Sequence, residues 1–158
     1  MSNRFADLAV EDLARALPAR AAVMGLDLGT RTIGVAISDL RRTIASPLDT
    51  IRRTKFTADA GALLGRAGEH HIAALIVGLP LNMDGSEGPR AQATRAFARN
   101  LSRLTDLPIA FWDERLSTAA VTRTLIAGDI SRKRRGALVD KMAAAYILQG
   151  ALDRMGGG

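Results

Sequence analysis

The feature that most constrains this chain is a pair of apolar runs joined by a short glycine-containing loop, with an aspartate where the first run ends. Residues 21–26 lead into Asp27, and residues 33–37 follow the loop Gly29–Thr32. Two β-rich runs connected in this way predict an antiparallel hairpin. A carboxylate at the end of a buried strand is costly unless its charge is compensated. We therefore expect Asp27 to have a partner, and a divalent metal ion is the one we favour.

The rest of the chain carries the pattern of an α/β fold. Three further strands are expected, over residues 43–53, 72–77 and 107–112. Helices are expected over residues 57–70, 90–104, 117–127 and 137–154. Pro47 suggests that the third strand lies at a sheet edge or contains a bulge. The order β-β-β-α-β-α-β-α-α predicts a mixed five-stranded sheet with helices on both faces.

Length and composition favour one folded domain. The chain has 158 residues, of which 47% are hydrophobic and 24% charged, so it can bury a sizeable core. The absence of cysteine excludes a disulfide framework and a thiolate metal site, and it fits a reducing cytoplasm. No apolar stretch of the sequence approaches the ~20 residues that span a bilayer. We expect a cytoplasmic protein with a single domain over residues 21–155, preceded by an N-terminal appendage over residues 1–20.

Carboxylates recur at equivalent places in the predicted fold. Asp27 ends the first strand, Asp113 or Glu114 ends the last strand, and Asp140 lies near the start of the last helix. The residues that share a helical face with Asp140 are apolar: Ala143, Ala144, Ile147 and Ala151. Oxygen ligands without cysteine or well-spaced histidine favour Mg²⁺ or Mn²⁺. Two such ions would support phosphodiester hydrolysis by activating a water and stabilising the leaving oxygen.

The charge distribution fits a polyanionic partner. The formal net charge is +6, and a basic loop is expected over residues 128–136. The candidate nucleic-acid contacts are Arg31, Arg115, Arg132, Lys133, Arg134 and Arg135. A glycine- and proline-containing loop over residues 78–89 follows the fourth strand, where α/β folds place ligands. That loop is either a ligand-binding element or a surface connection.

Four segments together resemble one protein family: LDLGTRTIGVAISD, IVGLPLNMDGSEG, WDERLST and ISRKRRGALVDKMAAAYILQ. In this order and spacing, over residues 22–152, they resemble the YqgF (RuvX-type) family of ribosomal-RNA-processing nucleases. That family belongs to the ribonuclease H-like superfamily and is related to Holliday junction resolvases of the RuvC type. The resemblance implies a ribonuclease H-like fold and maturation of the 5′ end of pre-16S ribosomal RNA in the cytoplasm. It also implies that Asp27, Glu114 and Asp140 form the catalytic, metal-binding set, and Glu114 is preferred to Asp113 on this ground alone.

Other functions are compatible with parts of the sequence. ATP-binding proteins of the actin and sugar-kinase superfamily also begin with an Asp-x-Gly-Thr hairpin, but they need two such domains, and this chain has one such hairpin. A resolvase-like DNase and a non-catalytic RNA-binding factor of ribosome assembly both stay open. The expected partners are structured RNA or branched DNA and ribosomal precursor particles, with no membrane. The protein is expected to be a monomer or a homodimer.

Overall fold

A computed structural model describes residues 8–116 and 132–156, with the side chains of the second segment described from residue 141 onward. The strands are β1 Val23–Leu28, β2 Thr32–Ser38, β3 Ala45–Arg52, β4 Ala74–Leu79 and β5 Ile109–Asp113. The helices are α1 Val10–Ala16, α2 Phe56–Glu69, α3 Pro89–Ser102 and α4 Arg132–Gly156. The strands form one mixed sheet in the order β3-β2-β1-β4-β5. The predicted mixed five-stranded sheet is therefore confirmed.

The hairpin at the centre of the sequence lies at the centre of the sheet. β1 pairs antiparallel with β2, with Asp27 opposite Gly34, and parallel with β4 on its other side. The amide of Gly29 donates to the carbonyl of Thr32 at 2.8 Å and closes the loop. All six residues of β1 are buried, because this strand has a neighbour on each side and helices above and below it.

The edge strand β3 confirms the prediction made from Pro47. Its register with β2 shifts between the pairs Val35–Asp49 and Ala36–Pro47, which leaves one extra residue in β3. Proline has no amide hydrogen to donate, so it is tolerated at an edge or a bulge. Both features are present here.

Helices cover both faces of the sheet, as predicted. On one face, α2 and α3 pack on the sheet through a cluster that includes Leu26, Leu75, Leu63 and Leu101. On the other face, α4 and α1 pack on the sheet through a cluster that includes Val23, Ile76, Leu148 and Leu13. No helix within the described residues is long and apolar enough to cross a membrane.

The start of the last helix differs from the prediction. α4 begins at Arg132, so residues 132–135 are helical and are not part of a loop. Arginine and lysine are good helix formers, and a single Gly136 costs a helix only about 1 kcal/mol, which explains why the helix extends through this segment. The helix predicted over residues 117–127 lies outside the described residues.

Candidate active site

Asp27 faces α4 from the carboxyl-terminal end of β1. A Cβ built on Gly25 would lie 2.8 Å from the Cβ of Leu148, so Gly25 lies under this helix. Side chains two residues apart in a strand point to the same face, which places the side chain of Asp27 on the α4 face as well. Asp27 is only 6% exposed. It is the buried carboxylate that the hairpin predicted.

Glu114 approaches the same face from β5, across the intervening strand β4. A Cβ built on Gly78 in β4 would lie 2.7 Å from Cδ1 of Ile147 and 3.0 Å from Oε2 of Glu114. The side chain of Glu114 therefore folds back over Gly78 beside α4. Gly78 lies one residue beyond the pair Leu26–Val77, next to Asp27. The two carboxylates thus belong to the same end and the same face of the sheet.

Asp113 has a different environment. The preceding residue, Trp112, packs against Gly150 of α4, so Asp113 points to the opposite face by strand alternation. Its carboxylate accepts from Arg115, with Nε to Oδ1 at 3.0 Å and Nη2 to Oδ2 at 2.7 Å. The hydrogen bond from Arg115 lowers the pKa of Asp113. Between the two adjacent acids, this geometry favours Glu114 as the companion of Asp27.

For Asp140, the third predicted acid, the structure describes the backbone within α4 and not the side chain. The carbonyl of Ala144 lies next to Gly25. Five residues later in α4, Oε1 of Gln149 accepts from the amide of Ala45 at 2.9 Å, at the end of the sheet away from Asp27. Residue 140 precedes Ala144 by four residues, or about 6 Å along the helix axis. Asp27 lies about 6.6 Å beyond Gly25 along β1. The backbone of residue 140 therefore lies at the Asp27 end of the sheet.

Several predicted site side chains lie outside the described residues: those of Asp140, Arg132, Lys133, Arg134 and Arg135. Within the described side chains, no group of three His, Cys, Asp or Glu residues is placed to hold a metal ion. The side chain of Asp140, the predicted third ligand, is not among those described. Arg31 is exposed in the hairpin loop, so its side chain is accessible to a nucleic acid.

The loop after β4 has defined internal structure. The amide of Gly85 donates to the carbonyl of Asn82 at 2.8 Å, and the amide of Asn82 donates to the carbonyl of Ser86 at 2.9 Å. Arg115 ties this loop to β5 by donating to the carbonyl of Met83 at 3.2 Å. Arg115, predicted to bind nucleic acid, is thus also a structural link between the loop and Asp113. A cleft beside the loop reaches Glu114.

Two arginines at the site were not identified from the sequence. Nη1 of Arg53 donates to the carbonyl of Gly29 at 2.6 Å, and Nη2 of Arg90 donates to the carbonyl of Leu28 at 3.1 Å. Both therefore hold the backbone just after Asp27. One feature of the sequence could have identified Arg90. It lies in the first turn of α3, where the helix dipole makes a positive charge unfavourable, so an arginine there indicates a role other than helix stability.

The family model and the sequence relatives agree on one family, and a solved structure agrees on the fold. A family model described as RuvX, Holliday junction resolvase, matches residues 21–154. A relative from Paracoccus denitrificans named "Putative pre-16S rRNA nuclease" is 67% identical over 146 residues, covering 92% of each chain. A relative of the same name from Rhodobacter capsulatus is 62% identical, also covering 92% of each chain. The structure of T. thermophilus RuvC in complex with a Holliday junction substrate is similar in fold. Its TM-score is 0.53 at 14% identity, over 86% of this chain and 96% of that chain.

Proposed function

Because the chain belongs to the RuvX family, we propose that it is a nuclease that processes the 5′ end of pre-16S ribosomal RNA during ribosome biogenesis. Two relatives above 60% identity are named for pre-16S ribosomal RNA. The reaction is the hydrolysis of a phosphodiester bond by an endonuclease. It would take place in the cytoplasm, on structured RNA or on a ribosomal precursor particle.

The observation that carries this proposal is the pairing of two carboxylates on one face of the sheet. Asp27 is buried at the end of β1, and Glu114 folds over Gly78 on the neighbouring strand. Two carboxylates on one face at one end of the sheet concentrate negative charge there, and carboxylate oxygens are the ligands that hard divalent cations prefer. The α4 face at this end of the sheet therefore suits the binding of a cation.

The chemistry of the donors fits a hard divalent cation. Asp27 and Glu114 offer carboxylate oxygens, and the described residues include no cysteine that could offer a thiolate, so Mg²⁺ or Mn²⁺ is favoured over zinc. We propose that Asp27, Glu114 and Asp140 hold two such ions. When bound, ions at a site of this kind activate a water and stabilise the leaving oxygen. The chain itself fixes Asp27 through the β1–β2 hairpin and keeps Glu114 against α4.

Basic residues would hold the substrate. We propose that Arg31, Arg115 and the segment Arg132, Lys133, Arg134 and Arg135 contact the nucleic acid. Replacing residues 132–135 with serine should weaken binding and flatten its salt dependence. An unchanged salt dependence would contradict this role.

Cleavage assays with site variants test the proposal. A labelled transcript spanning the 5′ end of 16S ribosomal RNA is incubated with the wild type, Asp27→Asn and Asp140→Asn, with Mg²⁺, with Mn²⁺ and with a chelator. The wild type should cut only with metal, and both variants should lose cutting while still binding the transcript. Cutting that survives either substitution would contradict the metal mechanism.

A second candidate is a DNase that resolves four-way junctions, because the matching family model is described as a Holliday junction resolvase. The same assay separates the two when a synthetic four-way DNA junction is added as substrate. A resolvase would cut the junction symmetrically, which requires a homodimer, and would leave the transcript intact. A non-catalytic assembly factor would bind the transcript and cut neither substrate. Sedimentation of the protein with and without the junction reports whether it is a monomer or a dimer.

A further inference from the structure

Arg90 lies where the hairpin, α3 and the cleft at Glu114 meet. Its Nη2 donates to the carbonyl of Leu28 at 3.1 Å, one residue after Asp27. On one side it lines the cleft that also contains Glu114. On the other side it lines a groove that contains the hairpin residue Thr30. A single guanidinium therefore borders both of the elements that carry the candidate catalytic carboxylates.

The charge of Arg90 is not compensated by an acid within the described residues. The ion pairs found among them include Arg95 with Glu87 and Arg115 with Asp113, and none involves Arg90. Arg90 is exposed, and its bond to Leu28 uses one of the five N–H donors of a guanidinium. Within the described part of the chain, no acid pairs with Arg90, so its remaining donors and its positive charge can serve an anion.

Arg53, the other arginine at the hairpin, uses its guanidinium in contacts within the protein. It donates to the carbonyl of Gly29, lies 3.9 Å from the buried carboxylate of Asp59 and covers the ring of Phe97 at 5.4 Å. Its charge is therefore partly neutralised inside the protein. Of the two arginines, Arg90 is the one suited to an external anion.

We propose that Arg90 binds a backbone phosphate of the nucleic-acid strand in the active site and positions that strand against Asp27 and Glu114. This inference rests on the proposed function. A guanidinium can bind two oxygens of one phosphate at once. Because one N–H of Arg90 is already anchored at Leu28, less side-chain freedom is lost when the phosphate binds.

The salt dependence of binding tests this role directly. Each phosphate contact contributes about 0.7 to 0.9 to the slope of log affinity against log salt concentration. Arg90→Gln in an Asp27→Asn background, which binds without cutting, should therefore lower the slope for the pre-16S transcript by about that amount. Affinity should fall several-fold at low salt. A filter-binding series at five salt concentrations measures both quantities.

Arg99→Gln is the matched control. It removes the same charge from an exposed position of the same helix, but nine residues later, which is two and a half turns and the opposite side. The slope of this variant should equal that of the Asp27→Asn parent. An equal fall in slope for both variants would mean that Arg90 contributes only to the general field, and it would overturn the proposal.

Other outcomes are equally decisive. If Arg90 merely holds the hairpin, Arg90→Gln will lower the melting temperature and leave the slope unchanged, which overturns the inference while the proposed function stands. If the Asp27→Asn parent binds no transcript, the inference and the proposed function fail together.

Should Arg90→Gln not fold, Arg90→Lys in the otherwise wild-type enzyme carries the test. It keeps the charge but loses the bidentate contact with the phosphate, so KM should rise several-fold. An unchanged KM and kcat would overturn the proposal.

Discussion

At the scale of single residues, Glu114 and Asp113 are adjacent in sequence but differ in environment, so their neutralisation should have different effects. Glu114→Gln removes a carboxylate from the α4 face and is expected to lower kcat by about 100-fold or more, since a metal contributes several kcal/mol to catalysis and each 1.36 kcal/mol is tenfold. Asp113→Asn removes a partner of Arg115 and should change kcat by no more than a few-fold. Steady-state cleavage of the precursor transcript at saturating concentration measures both. The reverse ranking would assign the metal to Asp113.

The sequence could not have distinguished these two acids without the resemblance. Alternation along the predicted last strand indicates that they point to opposite faces, but it does not say which face carries α4. That information comes from long-range packing, in which Trp112 meets Gly150 and Glu114 crosses Gly78. Asp27 was easier to predict, because a strand buried on both faces leaves its carboxylate without access to bulk water.

Asp39 gives the turn between β2 and β3 a dependence on pH. Hydrogen bonds from the amide of Ile44, and from the hydroxyl and amide of Thr43, lower the pKa of Asp39 from 3.8 to about 2. A carboxyl whose pKa is lower in the folded state contributes stability above its unfolded pKa and loses that contribution as pH falls toward the folded pKa. The melting temperature of Asp39→Asn should therefore lie below that of the wild type at pH 5 to 7. The difference should shrink between pH 4 and pH 2, and a constant difference would refute the assignment.

At the scale of elements, the close approach of α4 to β1 depends on Gly25. A Cβ at this position would lie 2.8 Å from the Cβ of Leu148 and 3.3 Å from the carbonyl of Ala144, so Gly25→Ala forces the helix away from the sheet. Overpacking of this kind costs about 1–3 kcal/mol. Equilibrium urea unfolding measures the loss. Because the same helix carries Asp140, nuclease activity of the folded variant should fall as well.

Gly61→Ala is the control for that substitution. Gly61 lies in α2, and a Cβ there meets no atom within 4 Å. Alanine is favoured over glycine in a helix by about 0.5–1 kcal/mol, so this variant should be slightly more stable than the wild type. If Gly25→Ala were as stable as Gly61→Ala, α4 would not be held against β1 by close packing.

The elements themselves were largely predictable because their signals are local. The hairpin follows from two β-rich runs and a loop, and the bulge in β3 follows from Pro47, which cannot donate to the ladder. The start of α4 was not predictable in this way. Gly136 and the run of four basic residues before it resemble a loop in composition, whereas the helix continues through them to Arg132.

At the scale of the whole molecule, the candidate site lies where elements from distant parts of the chain meet. β1 brings Asp27, β5 leads into Glu114, and α4 crosses above Gly25 and Gly78. The order of the strands could not be read from their number alone. The motif resemblance was specific enough to give the family and the fold, while the division into an appendage over residues 1–20 and a domain over residues 21–155 stays a prediction.

That division can be tested through α1. Val10 and Leu13 are 3% and 0% exposed and share a cluster with Leu152 of α4. If α1 unfolds together with the sheet, Leu13→Ala should lower the free energy of unfolding by about 2–5 kcal/mol, as in other cores. Arg15→Ala on the same helix removes an exposed ion pair with Asp12 and should cost less than about 1 kcal/mol. Urea unfolding compares the two variants. Equal small losses would mean that α1 contributes little to the free energy of unfolding, as expected if residues 1–20 are an appendage. A large loss for Leu13→Ala alone would extend the cooperative unit toward the N-terminus as far as α1, and α1 would then help to hold in place the helix that carries Asp140.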